Sequence, residues 1–301
     1  MTDQKSRSPD TEKLYFQRAT ALIGQAEKEL GLVEGITPDQ FVHWLDDKMA
    51  SLTYNTFRQY KAAVAYYFAT FSDPIYQNAS KAILELTQNE RVPRSQGKSN
   101  SGAARSIREA DFLLLKQAAE QSKGQWAKKA MLLFEATIIA GLRPTEWEHI
   151  KFASQGILVK NAKASNGRSS GEHRAILIDD PADMEILRQH VEKFRAWMEL
   201  RSEPFSKYHL ACANAFNELV KQVFKGKKHY RIYTARHQFS ANMKNIYSKA
   251  DVALLMGHGS DETAERHYGK KKSGWAKYKE KAKQDRAINK DSPAAPVSKN
   301  T

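Results

Sequence analysis

One cysteine, Cys212, is all that the 301 residues offer. An internal disulfide needs two, and a multi-cysteine zinc site needs more, so both are excluded. On burial statistics a lone thiol of this kind reads as a small core residue. Long apolar runs are missing as well. No stretch approaches the roughly 18 consecutive apolar residues of a membrane-spanning helix, and the opening Met1–Pro9 is polar and has no signal-peptide core. The expected location is cytoplasmic and nucleoid-associated. Nucleotide-binding loops are lacking too. Gly97-Lys98-Ser99 ends like a phosphate loop, but the earlier glycine of that motif falls on Val92 and no strand leads into it. No paired-glycine dinucleotide motif follows a strand, there is no internal repeat, and His258 and His267 have no nearby carboxylates in a metal-ligand pattern.

Acidic residues are outnumbered, 34 against 48 Lys and Arg, for a net charge of +14 and a pI near 9.6. Such a surplus calls for a polyanionic partner, nucleic acid first and an acidic membrane surface as the competitor. Lys270 to Thr301 holds ten Lys/Arg and three Asp/Glu, so its net of +7 is half the total. The last stretch, Asp291 to Thr301, reads as disordered.

What is present is mostly helix. The length exceeds one typical domain, which predicts two, and 41% hydrophobic residues suffice for packed cores. Leu14, Phe16, Ala19, Leu22, Ile23 and Ala26 recur at helical spacing. Thr37-Pro38-Asp39-Gln40 is a helix start, with Thr37 at the N-cap and Pro38 in the first turn, followed by an apolar stripe of Phe41, Trp44 and Leu45. Thr53 to Phe71 forms a further helix with Phe57, Tyr60, Ala63, Val64, Tyr67 and Phe68 on one face, and Ile75 to Thr87 another. Arg91 to Ser106 is polar, basic and aperiodic, a linker signature. From Glu109 the chain is helical again, with helices expected around 182–200, 210–224, 234–247 and 249–256. The exception is Gly156 to Ile178. Ile157-Leu158-Val159 and Ala175-Ile176-Leu177-Ile178 read as short strands, and Lys163-Ala164-Ser165-Asn166-Gly167-Arg168 as a basic hairpin tip between them.

Four segments carry chemistry: Gly141-Leu142-Arg143-Pro144-Thr145-Glu146, Tyr233-Thr234-Ala235-Arg236-His237, Met256-Gly257-His258 and His267-Tyr268-Gly269. Arginine offers forked hydrogen bonds that match the oxygens of a phosphate and that lysine cannot copy. A free tyrosine has a pKa of about 10, so about 0.1% is ionised at neutral pH and a base or a positive pocket must activate it. In this order and spacing the segments resemble the active site of the tyrosine recombinases, the phage-integrase family.

The resemblance implies a mainly α, two-domain fold. Residues 1–92 would be an N-terminal helical core-binding bundle that clasps DNA, 93–106 a linker, 107–284 an α+β catalytic domain with a small antiparallel sheet, and 285–301 a disordered basic tail. It implies a site-specific recombinase or integrase of a mobile element, cutting and rejoining DNA strands through a 3′-phosphotyrosyl intermediate. Tyr268 would be the nucleophile, Arg143 and Arg236 would bind the scissile phosphate, and His258 would donate a hydrogen bond to it. Lys163 would protonate the leaving 5′ oxygen, with Lys160 as the open alternative. Tyr247 and Tyr278 are weaker candidates for the nucleophile. Glu146 and Glu148 are read as orienting or surface groups. No cofactor, ATP or metal is expected, because bond energy is kept in the covalent link. The implied partners are double-stranded DNA bearing a specific site and further copies of the chain, as a dimer or tetramer, with accessory DNA-bending proteins possible partners and no membrane. Arg58, Lys61, Lys98 and Arg105 are the expected phosphate contacts, and the helix near Trp275 to Lys283 is expected to pack on a neighbouring protomer. The alternatives are a DNA-binding regulator whose chemistry has decayed and a topoisomerase-like enzyme.

One position departs from the pattern. Three residues before the second arginine the family carries a histidine, and here stands Tyr233. A phenol of pKa about 10 is a poor base at neutral pH, so proton removal differs here or falls to His229 or His237. The interval from His258 to Tyr268 is also one residue longer than the family's commonest version.

Overall fold

The computed structural model describes residues 9–87, 102–162, 171–258 and 268–291. The chain forms two compact units, Met1–Ser101 and Gly102–Thr301. The division falls inside the stretch read as a linker. Among the described residues no helix is long and apolar enough to cross a membrane.

The first unit is built from α1 (Pro9–Leu30), α2 (Pro38–Lys48), α3 (Tyr54–Phe68) and α4 (Pro74–Glu85). Its helix starts follow from local chemistry. Thr37 accepts from the Gln40 amide while the Gln40 side chain accepts from the Thr37 amide, a reciprocal cap before Pro38. Thr53 caps α3 and Asp73, ahead of Pro74, caps α4. Ala19, Leu22 and Ala26 close the core with Phe41, Trp44 and Leu45, Phe57, Val64 and Phe68, and Ala79 and Ile83. The expected α1 stripe is narrower than its periodicity suggested, for Leu14 and Phe16 are 56% and 40% exposed.

The second unit centres on α6 (Gln125–Ala140), which is apolar nearly all round and packs against α7 (Pro181–Arg201), α8 (Phe205–Phe224) and α9 (Ile232–Ile246). Around this core lie α5 (Glu109–Gln121), α10 (Lys249–Leu255), α11 (Ala276–Asp291) and an antiparallel meander of β1 (Lys151–Ala153), β2 (Gly156–Lys160) and β3 (His173–Leu177). The pairing sets Leu158 opposite Ala175 and Val159 opposite Arg174. Strand β1 escaped the sequence reading because three residues are too few to show a period. Cys212 is fully buried, and burial pushes its thiol up to about 12. The start of α11 lies against its own unit. Trp275, Tyr278 and Ala282 are buried in their own unit, with the Trp275 indole donating to the Ile107 carbonyl at 2.9 Å, so this apolar face is already used within the chain.

His190 on α7 is the most unusual core residue. It is fully buried, edge-to-face with Trp147 at 4.6 Å, and neither ring nitrogen has a hydrogen-bond partner among the described residues. Burial holds its pKa down to about 3. Against an unfolded value near 6.5, the folded form takes up its proton last, so this contribution to stability is complete above pH 6.5 and is lost as pH falls towards 3. His237, held near 4, acts in the same sense. We expect the melting temperature to drop between pH 7 and pH 5, and His190→Phe to shrink that drop. An equal drop in both proteins, followed by calorimetry, would refute this origin.

Candidate active site

The site begins with Arg236, one turn into α9 and without exposed surface. A buried guanidinium must spend its donors on acceptors. Its Nη1 donates to the Gly141 carbonyl and its Nη2 to the Met256 carbonyl at 2.6 Å. Nη2 also lies 3.3 Å from His258 Nε2. Since arginine only donates, that ring nitrogen accepts. Nε points at the Tyr268 hydroxyl, 3.4 Å away, and the guanidinium carbon sits 5.5 Å from the Tyr268 ring centre. The Tyr268 hydroxyl also lies 2.9 Å from that of Tyr233. Tyr268 is 8% exposed, whereas the Tyr233 ring is 40% exposed with its hydroxyl turned onto Tyr268.

Two glycine turns bring the acceptors in. Gly141 ends α6 in the left-handed region at φ 65°, and a Cβ there would come within 2.2 Å of the Phe239 ring. After α10 the chain closes a Schellman turn: the Gly257 amide bonds the Leu254 carbonyl and the His258 amide the Ala253 carbonyl, with Gly257 at φ 62°. This leaves the carbonyls of Leu255, Met256 and Gly257, and each accepts from a different arginine. Arg174 Nε takes Leu255 at 2.9 Å, Arg236 takes Met256, and Arg143 Nη2 takes Gly257 at 3.1 Å. The negative end of a helix suits three cations. His258 follows this clamped turn directly and packs its ring 5.0 Å from that of Tyr268.

Glu146 ties the arginines together. Fully buried, it accepts from Arg143 Nη1 at 2.6 Å, from the Arg143 amide at 2.7 Å, and from both terminal nitrogens of Arg174 at 3.1 and 2.7 Å. Arg236 Nη1 stands 3.7 Å away. Burial alone would raise this carboxyl. The Arg174 hydrogen bonds and charge, the Arg236 charge and the Arg143 amide outweigh that and hold it at about 2. The phenols separate in the same field. Burial works to raise Tyr268, but the Arg236 charge, the hydrogen bonds of Tyr233 and Arg236, and the Arg143 charge bring it below the usual tyrosine value. Burial dominates at Tyr233 and pushes it up to about 12. Of the pair, Tyr268 therefore ionises first and Tyr233 is left as the donor.

Arg143, Tyr233, Arg236, His258 and Tyr268 thus converge, although 125 positions separate the first from the last. Lys163 and Lys98 lie outside the described residues. Lys160, at the end of β2, sits 3.7 Å from Glu172 on an exposed face. Arg105 is exposed, and its charge contributes to depressing His237. Arg58 is exposed on α3, whereas Lys61 donates to the Leu84 and Leu86 carbonyls at 2.8 and 2.5 Å and so caps the end of α4. The His229 side chain is exposed, and Glu148 is a surface group. Tyr247 and Tyr278 line an apolar groove of about 600 Å³ among β3, α9, α10 and α11. Sequence reasoning missed Arg174 and Asn161, whose side-chain oxygen accepts from Arg174 Nη1 and whose amide donates to the Gly171 carbonyl at 2.8 Å.

This fold, mostly helices with one small antiparallel sheet, is the fold of solved lambda integrase structures. Among solved structures the chain is similar to a lambda integrase dimer bound to a COC′ core site, with 16% identity and a TM-score of 0.53 over 90% of this chain and 93% of that one. It is similar also to a lambda integrase tetramer bound to a Holliday junction, with 16% identity and a TM-score of 0.52 over 91% and 75%. A third likeness, to lambda integrase bound to DNA, has 15% identity and a TM-score of 0.50 over 98% and 94%. No protein-family model matches the sequence, and no curated protein matches it.

Proposed function

We propose that the protein is a site-specific recombinase or integrase that cuts and rejoins DNA strands through Tyr268. The Tyr268 oxygen attacks the scissile phosphorus, forming a 3′-phosphotyrosyl ester and breaking the bond to the 5′ oxygen, which gains a proton and leaves as a hydroxyl. The phenolic proton leaves to solvent. The 5′-hydroxyl of a second strand then attacks the ester and expels the tyrosine. One bond of equal type forms for each that breaks, so no external energy source enters. The observation that carries this reading is the Tyr268 hydroxyl beside Arg236, with Arg143 and His258 in the same cluster.

Each group then has a task. Arg236 and Arg143 stabilise the charge that grows on the non-bridging oxygens. Tyr233 stays protonated and donates to the Tyr268 oxygen rather than acting as its base. His258 contacts the same phosphate. Lys163 or Lys160 protonates the leaving oxygen. Because Arg236 has no exposed surface and the Tyr268 ring lies against it, phosphate reaches the guanidinium when that ring moves aside. Arg58, Arg105 and Lys98 contact flanking phosphates. The protein works on a specific DNA site as a dimer or tetramer, within the nucleoid, where accessory bending proteins can join it.

A duplex nicked close to the scissile phosphate tests this. Loss of the short 5′-hydroxyl fragment traps the covalent adduct, visible on a denaturing gel. We expect the adduct with the wild-type protein and none with Tyr268→Phe. Tight, site-specific binding without any adduct would instead support a DNA-binding regulator, a reading favoured by Tyr233 and by the burial of Arg236.

A further inference from the structure

The three arginines differ in what they face. Arg236 reaches the Tyr268 hydroxyl and Arg143 is 9% exposed beside the Gly257 turn. Arg174 instead turns its fork away from the tyrosine. It meets both oxygens of Glu146, the Asn161 side chain and the Leu255 carbonyl. It is 8% exposed and rises from the inward face of β3, next to Ile176. A Cβ on Gly257 would lie 2.7 Å from its Nη1 and 2.8 Å from the Asn161 oxygen, so the His258 turn rests against this guanidinium.

We propose that Arg174 is a positioning residue that takes up the charge of Glu146 and anchors the turn carrying His258, leaving Arg143 and Arg236 with their positive charge for a phosphate. The proposal rests on the recombinase reading for its purpose, though not for its physics. Glu146 is the buried carboxylate that Arg143, Arg174 and Arg236 all approach. Three cations and one anion leave a surplus of two. Glu146 needs one full counterion, and the bidentate partner with the better geometry is Arg174. Without it the carboxylate draws Arg143 and Arg236 into tighter pairs, and the charge facing Tyr268 falls. The same loss frees the Leu255 carbonyl, one of three that hold the turn in place.

The charge count gives an ordered test on the full-length protein. The Tyr268 phenol is followed by NMR with tyrosine labelled at Cζ and assigned through Tyr268→Phe. Its surroundings are Arg236, Tyr233 and His237 on α9, Arg143 before β1, and His258 after α10. We expect Arg174→Gln to raise the titration by on the order of one pH unit. Glu146→Gln should lower it, and the double variant should return it close to wild type. A purely structural role for Arg174 predicts no such return. If Arg174→Gln does not fold, the double variant is compared with Glu146→Gln alone, and it must titrate higher. An unmoved phenol in folded Arg174→Gln, or a double variant no different from Glu146→Gln, overturns the proposal. In the nicked-duplex assay Arg174→Gln should slow adduct formation while leaving duplex affinity unchanged. The titration needs no DNA, so absence of adduct from the wild-type protein would count against the recombinase reading and leave this result standing.

Discussion

Replacing Glu146 by alanine will destabilise the 102–301 unit by roughly 3–5 kcal/mol, the usual consequence of removing one partner of a buried ion pair. The reason is what stays behind. Three guanidiniums, none more than a tenth exposed, converge on that carboxylate, and without it they repel one another with little water to screen them. The Arg143 amide and the Ala162 amide, 2.7 and 3.4 Å from its oxygens, lose their acceptor as well. Calorimetry on the full-length chain would resolve the change, because the first unit has its own core and provides an internal reference. A loss under about 1 kcal/mol would mean that the cluster relaxes or admits water freely, and the charge balance drawn from Glu146 would then fail.

The second large effect concerns rate. Arg236→Lys is expected to slow single-turnover adduct formation by roughly 10²–10³-fold, the typical loss of one well-placed donor to a developing charge. Lysine keeps the charge but has no planar fork. It cannot hold the Gly141 and Met256 carbonyls and also reach the Tyr268 oxygen, as Arg236 does. Melting temperatures measured alongside separate a chemical defect from an unfolded site. A folded Arg236→Lys protein reacting within tenfold of wild type would remove Arg236 from the chemistry.

Much of this site was legible in the sequence. The early place of Arg236 on its helix and the order of Arg143, Arg236, His258 and Tyr268 rest on local signals. Helix starts at Thr37 and Thr53 were readable for the same reason, since a cap is made by residues within one turn. What escaped was long-range or carried by the main chain. Arg174 stood just outside the strand read at Ala175–Ile178 and was not singled out, although β3 alternates and puts Arg174 and Ile176 on one buried face. That alternation, joined to the rule that a buried arginine needs a carboxylate, could have directed attention to Glu146, 28 positions earlier. The carbonyls of Leu255, Met256 and Gly257 leave no mark in a string of side chains. Lys61 looked like a phosphate contact because its bond to the Leu84 and Leu86 carbonyls spans two helices. The Trp275 face looked free because its partner, the Ile107 carbonyl, lies 168 positions away.

Those consecutive carbonyls bear on how such a protein ages over generations. Any amino acid supplies a main-chain oxygen, so mutations at Leu255 or Met256 can accumulate without removing the acceptor that an arginine grips. Selection then acts on the bend of the chain and on a handful of charged residues, while the remaining letters wander. A fold held this way tolerates wide change in spelling, and a TM-score of 0.53 to a lambda integrase structure over 90% of this chain goes with an identity of only 16%.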